Sequence, residues 1–92
     1  MRVRAKNEII TQNTSVTPDG FGGWRVVNLG SADCTVNGMP LRGNMTETYN
    51  DTLDFTHLDA GVIYDDTIKI AFTAQPSTTQ KLLLTRLYYK NK

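Results

Sequence analysis

Apolar and polar residues alternate in short runs along this chain, and Gly, Pro, Asn or Asp closes each run. A repeat of two is that of a half-buried strand, whereas an amphipathic helix needs 3.6. No long stretch sustains the helical repeat. The first run is Glu8 to Gln12. The chain then breaks at Thr17-Pro18-Asp19-Gly20, because proline fixes φ and Asp-Gly favours a turn. Phe21-Gly22-Gly23 reads as a continuation of that flexible stretch. Trp24 to Leu29 is the clearest early strand, with Trp24, Val26 and Asn28 on one face and Arg25, Val27 and Leu29 on the other. Gly30-Ser31 predicts a turn, and Asp33 to Val36 the strand that returns from it. Asn37-Gly38 follows at once and suits a two-residue type I′ turn, in which both central residues have φ > 0. Met39-Pro40-Leu41 starts the next strand. Pro40 donates no ladder hydrogen bond, which places it at an edge or a strand start. Arg42-Gly43-Asn44 predicts another turn, and Met45 to Tyr49 another short strand.

Residues 50–66 are the least regular. Leu53, Phe55 and Leu58 are apolar but separated by polar residues, so a short helical turn or an ordered loop is expected there. Thr67 to Thr73 alternates well, with Ile68, Ile70 and Phe72 facing inward and Lys69 and Thr73 outward. After a loop at Gln75 to Thr79, Lys81 to Lys90 is the longest strand. Leu82-Leu83-Leu84 is apolar on both faces, which places that strand inside a sheet. A helix is the alternative, since Leu83, Leu84 and Leu87 fit one helical face. Together these runs predict one all-β domain over residues 1–92, a small antiparallel β-sandwich (jelly-roll or Ig-like) of six to eight short strands, with residues 1–7 as an extended N-terminal segment. The expected core is Trp24, Val26, Val36, Ile68, Ile70, Phe72 and Leu84.

Composition sharpens this picture in three ways. Thirteen threonines, with abundant valine and isoleucine, favour strands over helices. Ninety-two residues bury only a thin core, with little volume for a deep catalytic cleft. Ten Lys and Arg against nine Asp and Glu leave a net charge of +1, which argues against nucleic acid as the main partner. The charge is unevenly spread. Six acids and no Lys or Arg lie between Glu47 and Asp66, while Arg2, Arg4 and Lys6 mark one end of the chain and Lys81, Arg86, Lys90 and Lys92 the other. A dipolar surface of this kind suits head-to-tail contacts. The chain has no apolar run of membrane-spanning length and no apolar signal segment at its start, so it is expected to be made and folded in a cytoplasm.

Candidate chemistry is sparse. Cys34 cannot form an internal disulfide and is expected to be a small buried apolar side chain. His57 is the single histidine, with no HxH, HExxH or CxxC spacing, so it reads as structural or surface. Ser15, Ser31 and Ser77 lie in no nucleophile-elbow sequence. Asp51, Asp54, Asp59, Asp65 and Asp66 could hold a hard cation, but without EF-hand spacing they read as exposed loop charge. The Asn13, Asn44 and Asn50 sequons are chance matches in a chain rich in Thr and Asn. Trp24 with Tyr88 or Tyr89 could offer a flat face to a sugar, although core Trp and edge Tyr explain the same residues. No cofactor, metal ligand set or catalytic residue is assigned.

The stretch Trp24-Arg25-Val26-Val27-Asn28-Leu29-Gly30-Ser31-Ala32-Asp33-Cys34-Thr35-Val36-Asn37-Gly38-Met39-Pro40-Leu41 resembles small β-sandwich proteins of tailed bacteriophage particles. Those proteins commonly show an Asn-x-Gly turn, a Val-rich strand, an Asn-Gly hairpin and an x-Pro-Leu strand. Asp66 to Tyr89 is similar to their closing pair of strands. The resemblance implies a virion structural protein: a capsid decoration protein, a head-fibre base, or a head–tail or tail accessory. Such a protein is not an enzyme, works by arrayed contacts with other virion proteins or with copies of itself, and carries no membrane anchor. The expected contact residues are Arg2, Arg4, Lys6, Asp65, Asp66, Lys90 and Lys92. The ends, Met1 to Lys6 and Asn91-Lys92, are expected to order only on a neighbour. The alternative function is a small carbohydrate-binding module.

Overall fold

A computed structural model of the chain describes residues 2–43, 51–56 and 63–90, with the backbone alone for residues 2, 3, 89 and 90. The described residues form eight strands: β1 (Arg2–Ile10), β2 (Thr14–Val16), β3 (Gly23–Asn28), β4 (Cys34–Val36), β5 (Met39–Leu41), β6 (Thr52–Phe55), β7 (Ile68–Phe72) and β8 (Leu82–Lys90). They make two four-stranded antiparallel sheets. The first has the order β1-β8-β3-β6 and the second β2-β7-β4-β5. Strands pair as 1 with 8, 2 with 7, 3 with 6 and 4 with 5, as in one long hairpin. Rolling that hairpin up adds the β8–β3 and β7–β4 pairings. This is the jelly-roll arrangement of the β-sandwich.

The alternation read from the sequence sets which residues lie between the sheets. Trp24, Val26 and Leu84 from the first sheet meet Val36, Ile68, Ile70 and Phe72 from the second, and all seven are buried. Cys34, Leu41, Leu82, Ile10 and Phe21 complete the core. β8 lies inside its sheet, between β1 and β3, as its run of leucines requires. The Asn37-Gly38 turn is present, with φ of +52° and +80°, and joins β4 to β5. β5, with Pro40, is an edge strand.

Four features depart from the sequence reading. First, β1 begins at Arg2, and Arg2 to Lys6 pair with Lys90 to Arg86. From Arg2 on, the N-terminal segment is therefore part of the sheet within the single chain, while Met1, Asn91 and Lys92 lie outside the described residues. Second, Phe21 is fully buried and Gly22 donates its N–H to the Leu87 carbonyl at 2.8 Å, so this stretch is anchored. Third, Thr52–Phe55 is a strand, because β3 offers it a free edge. Alternation there is too short to be read from sequence. Fourth, β4 does not return along β3 but crosses to the other sheet and pairs with β7.

The corner that makes this crossing is built around Asn28, which is fully buried. Its Nδ2 donates to the carbonyls of Ala32 at 3.0 Å and of Leu41 and Arg42 at 3.2 Å. Its Oδ1 accepts from the Gly30 N–H at 3.1 Å. Gly30 itself has no room for a side chain, since a Cβ there would lie 2.1 Å from the Thr79 carbonyl oxygen. The predicted strand at Met45 to Tyr49 lies outside the described residues.

Candidate docking surface

Among the described residues, β1 is the longest strand with one side unpaired. It shares length only with β8, and β8 is covered on both sides. Each sheet has two edges, but β2, β5 and β6 run three, three and four residues against nine for β1. Every residue from Arg4 to Ile9 is exposed. An edge strand presents a row of unpaired backbone N–H and C=O groups, so this edge is a template for another strand.

The two faces of β1 differ. Alternation places Arg4, Lys6, Glu8 and Ile10 on the face that continues the core, and Ala5, Asn7 and Ile9 on the outer face. Only Ile10 of the first set enters the core. Ile9, opposite Leu83, is 49% exposed. Asn7 faces Thr85, whose hydroxyl donates to its Oδ1 at 2.7 Å.

Lys6 sits directly opposite Arg86. Like charges in that position oppose each other. Arg86 is only 7% exposed and is held by carboxylates instead: Nη2 donates to Glu8 at 2.9 Å, and Asp19 lies 3.9 Å from Nη1. The Tyr88 hydroxyl donates to the same Asp19 at 2.9 Å. Burial, and then that bond to a carboxylate, raises the Tyr88 pKa above that of an ordinary tyrosine. Glu8, Asp19, Arg86 and Tyr88 thus tie the loop after β2 to the first sheet. The sequence reading did not single out this group. Its signal was present, since Leu82, Leu84, Arg86 and Tyr88 alternate on one face of an inner strand.

The predicted contact residues separate into two groups. The register brings Arg2 opposite Lys90 and Arg4 opposite Tyr88, beyond the last residue of β3 that pairs with β8, Gly23 opposite Leu87. Arg2, Arg4 and Lys90 therefore lie on a two-stranded extension of the first sheet, while Lys6, opposite Arg86, lies where β3 still flanks β8. Asp65 and Asp66 are exposed in the segment before β7, and no ion pair among the described residues joins them to that extension. Lys92 lies outside the described residues.

A second surface is an open concavity of about 940 Å³ on the outer face of the second sheet. Asn13, Ser15, Thr35, Asn37, Asp66 and Lys69 line it. Asn37 fixes one side of it by accepting from the Lys69 N–H at 2.8 Å and donating its own N–H to the Lys69 carbonyl at 2.9 Å.

The remaining candidates are placed as follows. Trp24 is fully buried and stacks on Phe55 at 4.8 Å between ring centres, so it offers no flat face to a sugar. Burial pushes the Cys34 thiol up to about 11, with help from Asp33 and Asp51, so it stays protonated at neutral pH. Asp51 holds Arg42 at 3.2 Å, and that pairing lowers its pKa. Among the described residues no three His, Cys, Asp or Glu side chains are grouped to hold a metal ion. His57 and Asp59 lie outside the described residues. The chain matches no known family model, no curated protein and no solved structure.

Proposed function

We propose that this chain is a non-enzymatic assembly module, an auxiliary component of a bacteriophage particle that docks onto other virion proteins or onto copies of itself. The observation that carries the reading is the β1 edge: nine residues long, paired on one side only among the described residues, exposed from Arg4 to Ile9 and basic toward its start. Strand addition to such an edge takes its affinity from main-chain hydrogen bonds and its selectivity from the side chains at alternate positions. Lysine and arginine on an edge also reject uncharged strands and favour a complementary acidic one. The resemblance of Trp24 to Leu41 and of Asp66 to Tyr89 to phage β-sandwich proteins supports the virion setting. The jelly roll is an architecture that viral capsid domains share with lectins and cupins, so it agrees with this reading by analogy alone.

The test is the copy number of the chain on particles assembled with Arg4→Glu and Lys6→Glu together. Loss of most copies is expected, because each reversal turns an attractive edge contact into a repulsive one. Wild-type occupancy would overturn the reading. A second reading, a carbohydrate-binding module, draws on the open concavity whose lining includes Asn37 and Lys69. Glycan binding by a chain that stays off particles would favour it.

A further inference from the structure

We infer that the partner of the β1 edge is the β1 edge of a second copy, so that two chains join their first sheets into one eight-stranded sheet about a two-fold axis at Asn7. This rests on the assembly reading above and names the partner. A two-fold axis perpendicular to a sheet keeps the two faces in place, so residues of equal parity oppose each other across the joint. That condition leaves few registers. An axis at Arg4, Lys6 or Glu8 sets that charged residue against itself, and an axis at Ala5 sets Arg4 against Lys6. An axis at Ile9 leaves too few pairs. An axis at Asn7 sets Lys6 against the partner's Glu8, Ala5 against the partner's Ile9 and Asn7 against itself.

Each of these pairings completes something left open in the single chain. On the core-side face, Lys6 has the like charge of Arg86 on one side and gains the partner's Glu8 on the other. Charges then alternate across the joint from Arg86 through Glu8 to the partner's Lys6. On the outer face, Leu83 and Ile9 line up with Ala5 and Leu87 of the partner, which covers the half-exposed Ile9. At the centre, each Asn7 has its Oδ1 engaged by Thr85. Two such side chains face each other across the axis.

A joint of one strand pair buries less surface than a permanent dimer needs. The dimer is therefore expected to be concentration-dependent in solution and to be strengthened wherever copies are arrayed. Sedimentation equilibrium of the full chain should show the average mass rising toward twice that of one chain as concentration rises. Lys6→Glu should abolish that rise without lowering the melting temperature, because the new carboxylate faces Arg86 in its own chain. Lys6→Glu combined with Glu8→Lys should restore it. Opposed residues in antiparallel strands have Cα atoms about 4.5–5.5 Å apart, within disulfide range. Asn7→Cys should therefore cross-link to itself when oxidised with diamide. Ala5→Cys should not, since the two copies of residue 5 lie four positions, about 13 Å, out of register. Cys34 is buried and gives no background. A chain that stays at single-chain mass at every concentration, or that cross-links at residue 5 as fast as at residue 7, would overturn the self-pairing. If such a chain still left particles on charge reversal, only the self-pairing would fail. If the reversed chain kept its place on particles, the assembly reading would fail.

Discussion

Asn28 shows how much of this fold hangs on one polar side chain. It sits at the end of β3 with its amide enclosed by three carbonyl oxygens and one N–H, all from the segments that turn the chain from one sheet to the other. Its position was legible in the sequence, because it shares a face with Trp24 and Val26. Its role was not, since the carbonyls of Leu41 and Arg42 come from a strand thirteen and fourteen residues away. The same sequence reading took Gly30-Ser31 for a hairpin turn, which local turn chemistry alone cannot tell from a corner between sheets. Asn28→Asp keeps the shape and removes both donors. At neutral pH the variant should lose about 3–5 kcal/mol in urea unfolding, the usual cost of an uncompensated buried charge. The carbonyls disfavour the carboxylate and raise its folded-state pKa above that of the unfolded chain. The loss should therefore shrink as pH falls through that raised value and be smallest below the unfolded value, about 4. A variant equally unstable at pH 4 and pH 7 would show that the amide donors are not what holds the corner.

At the scale of elements, what could be read was whatever local chemistry decides. The β4–β5 hairpin is the clearest instance. Asn37 and Gly38 both adopt φ > 0, and the two flanking strands pair as Val36 with Met39 and Cys34 with Leu41. Gly38 has no atom within 4 Å of where a Cβ would be, so space does not restrict it and backbone conformation does. Gly38→Val should cost about 1–3 kcal/mol through strain at that dihedral. Gly38→Asn should cost much less, because Asn tolerates the left-handed region. Thermal melts of the two variants, run side by side, check this; equal melting temperatures would remove strain as the cause. β7 and β8 were legible for a similar reason, since their alternation is long enough to declare a face. β6 was not, because its four residues offer only two apolar positions, Leu53 packed against the core and Phe55 partly exposed. It exists through β3, whose register sets Trp24 opposite Phe55 and Val26 opposite Leu53.

For the whole molecule, the jelly roll joins the two ends of the chain. β1 pairs with β8 across nearly the full length of the sequence, and this pairing is the part that composition and turn signals could not supply. Basic residues near both ends suggested segments that order only on a neighbour. In the fold they are neighbours on adjacent strands, and the same pairing that brings them together makes β1 an edge. Removing residues 1–6 therefore does more than clip a docking arm. It deletes five of the nine register pairs with β8, Arg2 through Lys6, and leaves that part of β8 as a new edge. It spares the core, to which β1 contributes Ile10 alone. It also spares the bond from Glu8 to Arg86. The truncated chain should stay folded yet lose stability. With about 1–3 kcal/mol lost from an exposed edge pairing, a domain of this size should melt roughly 4–20 °C lower. Circular dichroism of the full and truncated chains measures this directly. Identical melting temperatures would mean that β1 adds nothing to the isolated fold, and its order would then have to come from a neighbour. A truncated chain that does not fold would place β1 among the strands the core requires. Between those outcomes, charge reversal at Arg4 and Lys6 tests docking more cleanly than truncation, because it alters what the edge attracts while leaving the backbone pairing of β1 and β8 in place.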